Sequence, residues 1–428
     1  MNPVRAALLF AFLVLCSSCA DHAARPNIVL IIIDTLRADH LGCYGYPRGT
    51  SPAIDSLAAH GVLCTDVQAQ SSWTLPAVTS ILSGLDARSH GAGRTGGDVY
   101  AANPGVTWLP TIMNDHSYQC LGIFNVYLLS EYFSFHRGFG RFRNDPLGDG
   151  QAAAAVDTAM AWLLQADPEK PFFLVLHVFD PHDPYDPPPP YDRLYAPDGT
   201  MGLTGWPVSP SGQMDVSPAV SRHLTDLYDG EIAWIDSQMG RLFRGIHDAP
   251  FGDNTVIILT ADHGEEFLEH GGVGHGRSMY REILHVPLIV SGAGVPGGVV
   301  DSLPHAQIDI LPTILAFAGI DDATNGGGVP LFGEQPADRI IPASNVNTGE
   351  AVHHAAVRSN DRVALWNVDT GTVCEYDLSA DPEQLHPLEA SSTLVERLEY
   401  YWSTPPVLPP VLVERDLIDP ILRDLGYI

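Results

Sequence analysis

Residues 28–33 form an unbroken β-branched and aliphatic run, Ile-Val-Leu-Ile-Ile-Ile, that stops on Asp34. Such a run has no polar face. It fits a strand covered on both sides, as in a parallel sheet between helices. An acid at its end lies where open α/β sheets place functional groups, at the carboxyl edge. Residues 119–126, 171–179, 254–260 and 285–291 read as further strands. Helical periodicity marks 52–60, 75–82, 152–164, 221–246 and 306–318. Strands alternating with helices predict an α/β sandwich with a large, mostly parallel central sheet between helices. The stretch 184–218, rich in Pro, Gly, Ser and Asp, reads as a long insertion, a lid or substrate loop. Beyond residue 335 the pattern changes. Residues 351–368 read as paired antiparallel strands, 376–382 as a polar turn and 394–402 as a helix. The expected organisation is a main domain over 27–335 and a small C-terminal antiparallel-sheet subdomain with a tail over 336–428.

Charge narrows the function. The 428 residues carry 51 acids against 22 Lys and Arg, a net charge of -29, with one lysine, Lys170. No basic footprint exists for nucleic acid or for electrostatic docking on an anionic membrane. A free anion is repelled, so an anionic substrate needs something local and strongly positive, such as a metal ion.

The N-terminus reads as an export signal. Arg5 precedes a ten-residue apolar stretch at 6–15, too short to span a bilayer, and Ser17, Ser18 and Cys19 follow. This order resembles a bacterial lipobox over residues 1–19. Cys16 stands where that pattern usually has leucine, and Cys16 itself is a poorer acceptor. The expectation is an exported protein tethered by lipid at Cys19 in a bacterial envelope, with plain periplasmic or secreted export as the alternative. Cys43, Cys64, Cys120 and Cys374 show no disulfide framework. Free thiols and one or two bridges both stay open.

Acids and histidines recur at strand ends: Asp34, Asp180 with His182, and Asp262-His263. Carboxylate oxygen and imidazole nitrogen are ligands for divalent ions. A buried strand, 254–260, running straight into Ala261-Asp262-His263-Gly264-Glu265-Glu266 is hard to read as surface. Taken alone, Thr74 is an ordinary residue at the start of a helix. His90 and His270 read as structural histidines.

Several ordered segments resemble the sulfatase-like branch of the alkaline phosphatase superfamily. They are NIVLIIIDTLRADHLGCYGY at 27–46, SWTLPAVTSILSG at 72–84, residues 174–188, residues 260–276 with Val286-Pro287, and Glu375-Tyr-Asp-Leu378 with Asp381-Pro382. The resemblance spans about 27–400 and implies that family's sandwich fold and a metal-dependent ester hydrolase. It further implies that Asp34, Thr74, Asp262 and His263 hold one essential divalent ion (Zn, Mn or Ca). Thr74 would be the nucleophile. His182 and His275 would contact the transferred group or protonate the leaving group, and Asn125 would donate to a phosphoryl oxygen. A second ion at Asp180, His182 and His275 stays open. Glu265, Glu266 and Glu269 would orient the loop, and Arg37 is a candidate for attracting the anion.

The departures matter as much. Sulfatases convert Cys or Ser in a Cys-x-Pro-x-Arg type segment to formylglycine; here the segment is Thr74-Leu75-Pro76-Ala77-Val78. Threonine cannot be so converted, the arginine is Val78, and the family's lysine and histidine fall near Asn125 and Tyr127. Asp262-His263, where sulfatases usually have Asp-Asn, resembles the phosphodiesterase and phosphotransferase members. The expected activity is hydrolysis or transfer of a phosphate mono- or diester through Thr74, on a small-molecule, glycan or lipid anionic ester. The alternatives are sulfate-ester hydrolysis without formylglycine and a catalytically silent substrate-binding lipoprotein.

Overall fold

The computed structural model describes residues 25–95, 98–145, 152–197, 202–207, 216–321, 326–345 and 353–414. The export signal and Cys19 lie outside the described residues. The central sheet has eight strands: β1 Asn27–Ile33, β2 Gly61–Cys64, β3 Gln119–Phe124, β4 Arg141–Asn144, β5 Phe172–Val178, β6 Thr255–Ala261, β7 Leu288–Gly292 and β8 Val299–Asp301. Their spatial order is β8-β2-β7-β6-β1-β5-β3-β4. All neighbours run parallel except β7, which is antiparallel to β6 and β2. The three most apolar strands, β1, β5 and β6, are adjacent, and every residue in them is buried. Full burial of both faces explains their lack of alternation. Edge strand β4 alternates exposed and half-buried residues instead.

Helices cover the sheet: α1 Pro52–Ala59, α2 Thr74–Ser83, α3 Ala152–Leu163, α4 Pro218–Asp248 and α5 Ile310–Ala318. Helix α4 opens on Ser217, whose Oγ accepts the Val220 amide at 3.3 Å, with Pro218 in the first turn, where a missing N–H costs nothing. A second, four-stranded antiparallel sheet is formed by β9 Ile341–Ser344, β10 His354–Ser359, β11 Arg362–Asn367 and β12 Thr372–Asp377. Helix α6, Ser392–Ser403, packs Leu394, Leu398 and Tyr401 against Ala355, Val357 and Ala364 of this sheet.

The fold is the expected sandwich with its small C-terminal antiparallel sheet. The differences are local. Strand β12 runs through Asp377, where the sequence reading placed a turn from Tyr376, because Glu375 and Tyr376 pair with Ala364 and Val363. Strands β2, β4 and β8, of three or four residues, are too short to stand out in the sequence. In the 184–218 insertion, Tyr185 and Trp206 pack on Phe267 with ring centroids 5.8 and 5.4 Å away, so the described part is anchored. Among the described residues, Cys43, Cys64, Cys120 and Cys374 form no disulfide. Among the described residues, no helix is long and apolar enough to cross a membrane.

Candidate metal centre

Register builds the centre. Ile33 lies opposite Val178 on one side and Ala261 on the other. The residues just past β1 and β6, Asp34 and Asp262, are therefore neighbours, and His177 enters from β5, opposite Ile32. Ligand atoms of Asp34, His177 and Asp262 all lie within 4.8 Å of one another, and all three residues are buried. His177 Nε2 is 3.6 Å from Asp34 Oδ2. His263 adjoins this trio, its Nε2 3.7 Å from Asp34 Oδ1 and 3.3 Å from Asp262 Oδ2. His263 Nδ1 is 2.9 Å from the Gly264 carbonyl and donates to it, which leaves the Nε2 lone pair facing the carboxylates.

The backbone beside Asp34 is held in a conformation unusual for a β-branched residue. Thr35 has φ +52°. Its amide donates to Asp262 Oδ1 at 3.1 Å, and its carbonyl accepts from the buried Tyr228 hydroxyl at 2.7 Å. Asp262 Oδ1 also accepts the His263 amide at 2.8 Å. One oxygen of Asp262 thus fixes the carboxylate, while Oδ2 has no hydrogen-bond partner. The same is true of Asp34 Oδ1, both ring nitrogens of His177 and His263 Nε2.

Such a set is costly without a cation. Burial raises the Asp34 carboxyl well above the ordinary carboxylate range, and the charges of Asp262 and Glu265 add to it. Burial likewise pushes Asp262 up to about 7. It pushes His177 down to about 3 and His263 well below its usual value. Two carboxylates that resist ionising and two imidazoles held neutral, with convergent unpaired lone pairs, are the donor set of a divalent cation. The residues therefore fit the metal ion implied by the resemblance.

Thr74 opens helix α2, and its Oγ1 donates toward Asp34 Oδ2 at 3.5 Å. Trp73, in extended conformation, is the capping residue. Thr74 is thus the first helical residue, in the turn whose amides point away from the helix. His275 and His182 line up beside His263, with ring centroids 4.6 Å from His263 to His275 and 4.8 Å from His275 to His182. Glu265 is buried and contacts His275 Nδ1 at 3.1 Å. Burial opposes charge on His275, but Glu265, with Asp262 and Asp183, raises the imidazole above its usual value. His182 is pushed down to about 3 by burial and by His275.

The remaining candidates make contacts of their own. Asp180 Oδ2 accepts the Ala152 amide at the start of α3, at 3.2 Å. Asn125, just past β3, is buried and lines a small cavity with Arg143, Asp145 and Thr158, and its amide has no hydrogen-bond partner. Arg37 does not serve the anion. Its guanidinium pairs with Asp39 at 2.7 Å and Glu269 at 2.5 Å and donates to the Glu265 carbonyl at 2.9 Å. It thereby ties the 262–269 loop to the β1 loop. Glu266 accepts from the Gly272 amide and Ser278. His90 is a core histidine bonded to Ser80 and the Ala92 amide, and His270 pairs with Glu282.

The sequence reading missed His177. Its signal was present: it is the single polar residue in the strand Phe-Phe-Leu-Val-Leu-His-Val. Only the pairing of β5 with β1 shows where that residue sits.

A buried two-carboxylate and imidazole centre at the carboxyl edge of this sandwich, with a hydroxyl at a helix start, defines a metal-dependent ester hydrolase of the alkaline phosphatase superfamily. The chain belongs to the sulfatase family, whose profile matches residues 26–320. It is similar to an arylsulfatase of Clostridium perfringens, 26% identical over 459 residues, covering 88% of this chain and 92% of the relative. Human iduronate 2-sulfatase is 25% identical over 361 residues, 68% of this chain and 63% of that protein. Among solved structures, a protein in complex with its substrate D-Glucosamine-2-N, 6-O-disulfate superposes with TM-score 0.75 at 19% identity, covering 88% of this chain and 97% of the other. A phosphonate monoester hydrolase of Agrobacterium radiobacter superposes with TM-score 0.68 at 19% identity, covering 88% and 94%. At these identities the superpositions speak for the fold.

Proposed function

We propose that this chain hydrolyses the sulfate ester of a small molecule or glycan without a formylglycine. The observation that carries the reading is the convergence of Asp34, His177 and Asp262 within 4.8 Å, with the Thr74 hydroxyl 3.5 Å from Asp34. Membership of the sulfatase family and the sulfatases among its relatives support sulfate as the transferred group. A bound divalent ion supplies a Lewis acid that polarises the ester oxygen and lowers the pKa of a hydroxyl beside it. Asp34, His177 and Asp262 would hold it, with His263 alongside. The imidazole ligand favours Zn or Mn over Ca, which takes oxygen ligands. The start of helix α2 offers amides to a developing oxyanion. His275, held by Glu265, is placed to give the leaving oxygen its proton.

A second reading rests on Thr74 itself. Its hydroxyl would give its proton to Asp34, toward which it donates, and its oxygen would form the bond to phosphorus of a phosphate mono- or diester as the ester P–O bond breaks. The leaving oxygen would take its proton from His275, and water would then release the phosphoryl group. The unconvertible threonine at a helix start, and the loss of the family's arginine and lysine at Val78 and Asn125, favour this reading. The same proposal includes export with a lipid tether at Cys19, one essential ion rather than two, and a domain division near residue 335. The lipobox-like order of residues 1–19 supports the tether.

Turnover of aryl sulfate, aryl phosphate and bis-aryl phosphate separates the readings, with metal stripped and restored, for the wild type and Thr74→Ala. Sulfate turnover that needs metal supports the first. Phosphate turnover abolished by Thr74→Ala supports the second. No metal-dependent turnover of any ester would leave the silent binding protein.

A further inference from the structure

The C-terminal sheet supplies no residue of the centre, yet the residue after β9 reaches two of the segments that do. Asn345 is fully buried. Its side-chain Nδ2 donates to the carbonyl of Gly276, next to His275, at 3.1 Å. Its backbone carbonyl accepts from the indole of Trp73, next to Thr74, at 3.1 Å. Its remaining groups are spent on β10: Oδ1 accepts the His354 amide at 2.8 Å, and its own amide donates to the His354 carbonyl at 3.2 Å. The strand behind it is stitched to the same region. The Ser344 amide donates to the Gln70 carbonyl at 3.0 Å, and Gln70 Nε2 donates to the Pro342 carbonyl at 3.1 Å.

We propose that Asn345 is a positioning residue that fixes the spacing between the Thr74 helix and the His275 loop, using the C-terminal sheet as its footing. The two segments are far apart in sequence and come from different connections of the main sheet. A single buried residue, holding one segment by its side chain and the other by its backbone carbonyl, gives them one common reference, and such a fully satisfied group admits few alternative arrangements. A loop displaced by about an ångström loses up to about a hundredfold in rate. The proposal rests on the hydrolase reading for its effect on rate, and on geometry alone for its effect on the loops.

Two substitutions test it. Asn345→Asp keeps the acceptor for the His354 amide but turns an oxygen toward the Gly276 carbonyl. Trp73→Phe keeps an aromatic ring but removes the indole donor together with the pyrrole part of the side chain. Hydrogen exchange read by mass spectrometry should rise over 273–279 in the first variant and over 73–78 in the second, with 28–34 unchanged in both. For Asn345→Asp, kcat should fall about tenfold to a hundredfold with KM unchanged. The fall should be larger for an alkyl ester than for a nitrophenyl ester, because His275 serves the leaving oxygen. Trp73→Phe should lower kcat equally for both esters. Unchanged exchange over 273–279 in Asn345→Asp, or an equal rate loss for both esters in that variant, would overturn the proposal. If the wild type turns over no ester, the hydrolase reading fails, and the exchange pattern alone decides whether Asn345 holds the loops. If Asn345→Asp does not fold, unchanged exchange over 73–78 in Trp73→Phe overturns it.

Discussion

Replacing His177 with leucine separates metal binding from folding, because the two should move in opposite directions. The ring is fully buried, its nitrogens have no hydrogen-bond partners, and burial holds it neutral. Leucine is close to it in volume. In the metal-free protein the substitution removes an unsatisfied buried polar group, whose burial costs about 1–3 kcal/mol. At about 1 °C per kcal/mol for a chain of this size, the metal-free Tm should hold or rise by about 1–3 °C. The metal-loaded protein should behave the other way. If metal at about 1,000 times Kd stabilises the wild type, the gain is about 4.1 kcal/mol. A ligand loss that weakens Kd about a hundredfold leaves about 1.4 kcal/mol at the same concentration. Thermal unfolding of stripped protein across a Zn or Mn titration measures both terms. A metal-free His177→Leu protein that melts well below the wild type, with the metal-induced shift intact, would refute the ligand assignment.

Metal affinity should fall as pH drops through about 7. Asp262 carries a proton below that value in the metal-free protein and must lose it to bind, so calorimetry in buffers of different ionisation heat should show at least one proton released. Glu265→Gln should move the alkaline limb of the rate profile to lower pH, since Glu265 contributes most to raising His275, ahead of Asp262 and Asp183; an unmoved limb would exclude His275 as the acid. Gly61→Ala should destabilise the fold by about 1–3 kcal/mol without changing metal affinity, because an added Cβ would sit 2.2 Å from the Val290 carbonyl oxygen, and denaturant melts measure this. Reductant should leave Tm unchanged, and Cys64 and Cys120 should react with thiol reagents only on unfolding.

The sequence by itself determined the sheet and half of the centre. Runs such as 28–33 and 254–260 are apolar on both faces, so they can lie only inside a layered sheet, and Asp34 and Asp262-His263 mark their ends. Those signals are local, carried by neighbouring residues. Helix α2, helix α4 and the small C-terminal sheet were legible for the same reason. Short strands such as β2 and β8 were not, since pairing rather than composition makes them strands. Whatever depends on which strands are neighbours was decided by the tertiary structure. His177 became part of the centre because β5 lies beside β1 in register, although its own segment reads only as a buried strand with one polar residue. Arg37, a free cation on paper, was taken up by Asp39 and Glu269 because the loops after β1 and β6 meet. Asn345 acquired its contacts because β9 is stitched to the segment leading into helix α2. Periodicity records which faces are buried, whereas contacts across the sheet edge depend on strand order and register, which no single segment encodes.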